Sequence, residues 1–256
     1  MYEGGSVLQV FILASGSKGN SVYVEIDGIR LLIDAGISAA RIKSRLDGIG
    51  VGLNTLHAVL VTHEHVDHIR GLATLTKRYH MPVFATQGTI SHIDGPLIDT
   101  MQRVQDELIF GDVKVHPFAT SHDAAEPCGF RIHGSACCTI ATDLGVVTET
   151  VQDAMEGADV LVLEANHDAD LLKCGSYPWS LKRRILSSRG HLANGEAAWA
   201  LMRMRRRPRK VYLAHLSEEN NRPELANSTV TGILSSHGVD LDIETCLPQG
   251  GTGIIM

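Results

Sequence analysis

An α/β fold is predicted by three features of this sequence. Short β-branched runs alternate with stretches of helical spacing, ligand-capable polar residues gather where those runs end, and no linker, repeat or low-complexity segment divides the chain. VLQVFIL, SVYVEID and IRLLIDAG open the chain as apolar runs of the length a buried strand takes. A helix is predicted over residues 37–48, a strand at HAVLVTH and a helix over 71–80, whereas residues 87–104 carry no clear period. VKVHPFAT, CGFRIHG and CCTIATD read as strands, 147–156 as a helix and ADVLVLEA as a strand. A helix over 194–206 follows, with Asn194 as its N-cap and Glu196 in its first turn, before the strand KVYLAHL.

With 256 residues, 44% of them hydrophobic, the chain can bury a large core, and one domain over 1–256 is expected. The start, MYEGGSVLQVFILASG, has no basic leader, and its apolar stretch is too short for a signal core or membrane span, so a cytoplasmic protein is expected. Five cysteines, odd in number and without a CxxC pair, argue against a disulfide framework or a thiolate metal site. The net charge of -6 conceals an asymmetry. Between residues 182 and 210 there are ten Lys and Arg against one acid, Glu196, or +9, so the remainder carries -15. Such a stretch is either a solvated helix end or the footprint of a polyanion such as nucleic acid.

The densest cluster is THEHVDH, residues 62–68: three histidines, a glutamate and an aspartate directly after an apolar run. Buried imidazoles and carboxylates are costly unless paired or coordinated, and a set of His63, His65, Asp67 and His68 suits a borderline metal. Nitrogen and oxygen donors without thiolate favour zinc, manganese or iron over calcium. Further polar groups at predicted strand ends are Asp34, His122, Asp143, Glu164 to Asp168, and His215. The SGSKGN loop, residues 15–20, is either a tight connection or the lining of a phosphate path, and it lacks P-loop spacing.

THEHVDH resembles the HxHxDH motif of the metallo-β-lactamase fold, and the other motifs of that fold follow in order: Asp34 in LLIDAG, His122 in TSHD, Asp143 in ATDLG and His215 in AHLS. More narrowly, LASGSKGNSVYVE, ATSHDAAEPCGF, LEANHD and LAHLSEENNRPELA resemble the bacterial WalJ/YycJ exonuclease group. The resemblance implies a four-layer αβ/βα sandwich. It implies two divalent ions, zinc or manganese: one held by His63, His65 and His122, the other by Asp67, His68 and His215, with Asp143 bridging them. Asp34 would orient a ligand imidazole. His191, in RGHLANGEAAW, would contact the scissile phosphate or protonate the leaving group, and with Asp67 it is counted among the catalytic groups. His167 is either functional or part of a structural cluster with Glu164 and Asp168.

Two ions sharing a water activate it for hydrolysis, and the same site can serve lactams, thioesters or phosphodiesters. The full ligand set, His191 and the basic segment favour a phosphodiesterase, and the resemblance favours DNA exonuclease activity. Only about 47 residues separate Asp143 from His191, too few for the additional cap domain of some nucleases of this fold. A ribonuclease, a thioester or small-ester hydrolase, and a non-catalytic regulator are the alternatives.

Overall fold

The computed structural model of the protein describes residues 8–93 and 100–256. Six strands build most of one sheet: β1 (Gln9–Ala14), β2 (Ser21–Ile26), β3 (Ile29–Ile33), β4 (Ala58–Leu60), β5 (Val83–Ala85) and β6 (Met101–Arg103). A second sheet follows with β7 (Leu108–Phe110), β8 (Val113–Ala119), β9 (Cys128–His133), β10 (Cys137–Ala141), β11 (Val160–Glu164), β12 (Lys210–Ala214) and β13 (Ile243–Thr245). The last strand, β14 (Thr252–Ile255), returns to pair with β1. The orders are β14-β1-β2-β3-β4-β5-β6 and β13-β12-β11-β10-β9-β8-β7. Each sheet is antiparallel on one side and parallel on the other: β3 to β6 run parallel in the first, β10 to β13 in the second.

Helices cover both outer faces. They are α1 (Ala39–Gly48), α2 (Val66–Ile69), α3 (Leu72–Tyr79), α4 (Gln87–Ser91), α5 (Glu149–Met155), α6 (Ala169–Cys174), α7 (Trp179–Ile185), α8 (Asn194–Arg203) and α9 (Pro223–Ser236). Strand alternation sorts the apolar side chains into three interfaces. Val10, Val24, Leu31 and Leu60 of the first sheet meet Phe130, Ile132, Val162 and Tyr212 of the second. The opposite-facing Tyr23, Leu32 and Val59 pack on Ile42 and Leu46 of α1 and Leu72 and Leu75 of α3. On the far side, Leu161, Leu163 and Leu213 pack on Val151, Leu201 and Val230 of α5, α8 and α9. Three apolar interfaces separate four layers, the αβ/βα sandwich. Both faces of the central strands are buried, which is why SVYVEI and VLVLE read as continuous apolar runs rather than as alternating ones.

Local capping trims the helices predicted from sequence. Ser38 caps α1 by accepting from the Arg41 N–H, and Thr148 caps α5 by accepting from Val151, so both helices start two residues later than their periodicity suggests. Asn194 is not a cap. Ala193 holds that position, and the Asn194 amide instead exchanges hydrogen bonds with Asn221 at 3.0 and 2.8 Å. α8 stops at Arg203 because Met204 is extended and Pro208 follows shortly, so Arg205, Arg206 and Arg207 lie beyond the helix. The patternless stretch 87–104 contains α4 and β6, and its residues 94–99 lie outside the described residues, as do Val7 and the rest of the chain start. α9 carries Pro223 in its first turn and Glu224 behind it, start signals that its weak amphipathic pattern obscured. Among the described residues, no helix is long and apolar enough to cross a membrane. The five cysteines are free thiols, and all but Cys174 are buried.

β3 and β4 point the same way, as do β8, β10, β11 and β12, because β8 and β10 both run antiparallel to β9. Asp34, His63, His122, Asp143, Glu164 and His215 therefore all stand at the C-terminal ends of co-directed strands, where loops of the two sheets converge.

Candidate metal centre

Three residues at this edge leave their strands in the left-handed backbone region: Asp34 (φ 61°), Asp143 (φ 56°) and His215 (φ 55°). Such a conformation costs on the order of 1–3 kcal/mol in a non-glycine residue and persists where neighbours over-determine it. Here they do. The Asp34 N–H donates to the Leu60 carbonyl and its own carbonyl accepts from Ser21 Oγ. The His215 N–H donates to Ser15 Oγ at 2.8 Å, and its carbonyl accepts from the Asn166 amide at 2.8 Å. The turn swings each side chain off its strand and into the space between the sheets' ends.

The histidines are oriented from outside. His68 Nδ1 lies 2.8 Å from Asp34, whose carboxylate also accepts from the Thr62 N–H at 2.8 Å and from Thr62 Oγ1 at 2.9 Å. His122 Nδ1 donates to the Gly190 carbonyl at 3.0 Å, and His63 Nδ1 lies 3.0 Å from Thr62 Oγ1. Each contact leaves Nε2 facing inward. Asn20, from the 15–20 loop, bonds both arms of the cluster: its N–H donates to the Asp67 carbonyl at 2.8 Å, and its side-chain amide lies 3.1 Å from His68 Nε2. The loop thus braces the HxHxDH turn. A Cβ at Gly19 (φ 155°) would stand 2.6 Å from the Gly36 carbonyl oxygen, so only glycine allows this approach.

Ligand-type atoms within 4.8 Å of one another group His63 with His65 and His122, Asp67 with His68 and His215, and Asp143 with His63 and His68. Asp143 stands between the first two groups, with Oδ2 3.4 Å from His68 Nε2 and Oδ1 3.9 Å from His122 Nε2. A fourth grouping joins Asp143 and His215 to Glu164 and His191. Glu164 is fully buried; its Oε1 lies 2.7 Å from His191 Nδ1 and 3.0 Å from His215 Nδ1, and its Oε2 accepts from the Leu144 N–H at 2.8 Å. His191 remains about one-fifth exposed, on the open side. The sequence pointed to Glu164 as a polar strand end and as a neighbour of His167, without a role at the centre. Its signal was a carboxylate ending a fully apolar strand.

Burial and neighbouring charge act against each other across the centre. Burial opposes charge on His68, but Asp34 and then Asp143 outweigh it and hold its pKa up at about 9. Burial likewise opposes charge on Glu164, yet His191 and His215 keep its carboxyl well below the usual range. His63, buried among other imidazoles, is pushed well below its ordinary value, chiefly by burial and then by His68 and His122. Asp143 Oδ2 and His215 Nε2 are buried with no hydrogen-bond partner among the described residues, a costly state that a bound cation relieves. Imidazole and carboxylate donors without thiolate, aimed inward by hydrogen bonds on their outer atoms, fit divalent zinc or manganese.

His167 is not drawn into the cluster. It is 1% exposed, both ring nitrogens lack hydrogen-bond partners among the described residues, and burial lowers its pKa to about 4. The structural network with Glu164 and Asp168 does not form, since Glu164 serves His191 and His215 while Asp168 caps α6. The basic segment splits. Arg184 pairs with Asp123 and Arg189 Nε donates to the His122 carbonyl at 3.2 Å, both beside the cluster. Arg205 and Arg206 bind Glu156 through their backbone N–H groups, Arg209 pairs with Asp159, and Lys210 with Asp242 and Glu244. Those residues sit at the opposite ends of β11 and β12, about 13 Å away by strand rise.

Two facing mixed sheets, with a histidine–carboxylate centre at the strand ends, define a metal-dependent hydrolase class. The family described as a beta-lactamase superfamily domain matches residues 29–216. Exodeoxyribonuclease YycJ of Bacillus anthracis is 41% identical over 240 residues, 90% of this chain and 90% of its own length. Exodeoxyribonuclease WalJ of Streptococcus pneumoniae is 39% identical over 255 residues, 94% of this chain and 95% of its own length. Among solved structures, the metallo-beta-lactamase fold protein YhfI from Bacillus subtilis aligns with a TM-score of 0.74 at 17% identity, over 98% of this chain and 100% of that one. The chain belongs to the beta-lactamase superfamily, in the family of the YycJ and WalJ proteins.

Proposed function

We propose that this protein, folded as one domain, is a two-metal phosphodiesterase that acts on DNA as an exonuclease. The observation that carries the reading is the pair of ligand triads meeting at Asp143, with the Glu164–His191 pair on the open side. His63, His65 and His122 would hold one divalent ion and Asp67, His68 and His215 the other, with Asp143 shared between them. Such ions lower the pKa of a water and offset the charge developing on attacking and leaving oxygens.

The chain's own groups do the rest. Asp34, Thr62 and Gly190 hold the ligand imidazoles in one tautomer and orientation. Asn20 fixes the Asp67–His68 turn. Glu164 holds His191 by Nδ1, so the ring presents Nε2 to the cleft; a proton carried there passes to the departing oxygen, while the Glu164 carboxylate balances the ring's charge. DNA is favoured over RNA by the names of the two relatives that match along most of their length. Ribonuclease J 1 of Streptococcus pyogenes matches over only 28% of its own length.

The test is hydrolysis by purified protein loaded with Mn²⁺ or Zn²⁺, offered end-labelled single-stranded DNA, duplex DNA, RNA and a thioester. Stepwise shortening of DNA from one end, lost in Asp143→Ala, is expected. Thioester cleavage with no release of nucleotides would overturn the reading.

A further inference from the structure

Among the basic residues of the 182–210 segment, Arg189 has a side chain that bonds directly to a residue of the metal centre, the His122 carbonyl, with no carboxylate matched to it among the described residues. Lys182 is buried, its Nζ donating to the carbonyls of Lys173 and Gly175 at 2.7 Å each. Arg184 faces Asp123. Arg203 donates to Gln152, and the group from Arg205 to Lys210 occupies the far sheet edge. Arg189 is exposed and has no carboxylate within 4 Å among the described residues.

Its position is fixed by the loop that carries it. Ser121 Oγ donates to the Ser188 carbonyl at 2.5 Å, the Gly190 carbonyl accepts from His122 Nδ1, and the Gly145 N–H donates to Ser121. Gly190 packs so closely that a Cβ there would lie 2.1 Å from the Ile185 carbonyl oxygen, so the loop cannot lift away without breaking this contact. Arg189 Nε is spent on the His122 carbonyl, which leaves its two Nη groups as a free fork one peptide from a ligand imidazole. A planar two-nitrogen donor fork matches the oxygens of a phosphate. The four carboxylates of the centre are balanced by histidines and the cations they would hold, so the Arg189 charge is not needed there.

We propose that Arg189 grips a backbone phosphate next to the scissile one, and so selects chains of consecutive phosphates over diesters that carry a single phosphate. This rests on the phosphodiesterase reading and narrows it to polynucleotide substrates. The preorganised fork explains how a short basic loop can contribute when most of the +9 segment points elsewhere.

The experiment compares wild type, Arg189→Ala and Arg189→Lys on two substrates: a single-stranded oligodeoxynucleotide and bis(p-nitrophenyl) phosphate, which has only the phosphate to be cleaved. Arg189→Ala should lower the ratio of kcat/KM for oligonucleotide over diester by about tenfold, mainly through KM. It should also flatten the log–log salt dependence for the oligonucleotide by about 0.7, one single-strand phosphate contact. Arg189→Lys should recover part of the ratio, since charge remains but the fork is lost. An equal loss on both substrates would show that Arg189 acts only through His122 and would overturn the proposal, as would an unchanged ratio. A wild type active on both substrates confines such a failure to Arg189; a wild type inactive on both overturns the phosphodiesterase reading and this proposal with it.

Discussion

Glu164 is a buried carboxylate that serves two imidazoles at once, His191 on the open side and His215 at the centre. Replacing it by Gln keeps the shape but removes the charge that holds both rings, and a loss of about 10- to 100-fold in activity or metal affinity is expected for an outer partner of this kind. His191→Ala should lower turnover by about 10²- to 10⁴-fold with metal content nearly intact, as befits a proton donor rather than a ligand. Elemental analysis beside turnover separates the two, and loss of metal in His191→Ala would make it a ligand. Asp34→Ala is a harsher change, since it strips partners from the Thr62 N–H, Thr62 Oγ1 and His68 Nδ1 together. Breaking a buried charge pair costs roughly 3–5 kcal/mol, so a lower Tm with and without metal is expected.

At the scale of elements, the loop between α7 and α8 carries both His191 and the carbonyl that orients His122. Gly190→Ala should push this loop off its packing against Ile185, with an overpacking cost of about 1–3 kcal/mol. Activity should fall along with Tm, whereas a surface substitution would leave both in place. The segment after α8 behaves oppositely. Because all three follow the helix end, with Arg205 and Arg206 anchored at Glu156 by backbone and Arg207 Nη2 donating to the Met202 carbonyl, changing Arg205, Arg206 and Arg207 to Ala should leave the salt dependence of DNA cleavage unaltered. A slope reduced by one or more phosphate contacts, at about 0.9 each for duplex DNA, would return that segment to the substrate path.

Across the whole molecule, the centre joins the strand ends of two sheets that otherwise meet through an apolar interface. A cation bound there by groups from both sheets stabilises only the folded arrangement, so added Mn²⁺ or Zn²⁺ should raise Tm and a chelator should lower it. The gain is about 2.7 kcal/mol when free ion exceeds Kd a hundredfold. Thermal denaturation across a metal titration checks this, and a Tm indifferent to metal would separate the centre from stability.

The sequence by itself determined which residues gather at the site. Polar groups directly after buried strands need partners, and strand period and apolar content suffice to locate those ends; His63, His65, Asp67, His68, His122, Asp143 and His215 are singled out among them by the motifs that resemble a known fold. The sandwich was legible through the ordered motifs that resemble a known fold. Tertiary structure alone decided what depends on contacts between distant segments. Glu164 looked like a strand terminus until His191 and His215, 27 and 51 residues away, closed on it. Asn20 looked like a turn residue until it met Asp67. The basic segment looked continuous, but Met204 ends its helix and the two sheet edges divide it, leaving Arg189 at the centre and Arg205 at the other end. Local sequence records period, capping and burial, which act over a few residues. Charge partners are chosen by where the folded chain brings strand ends together.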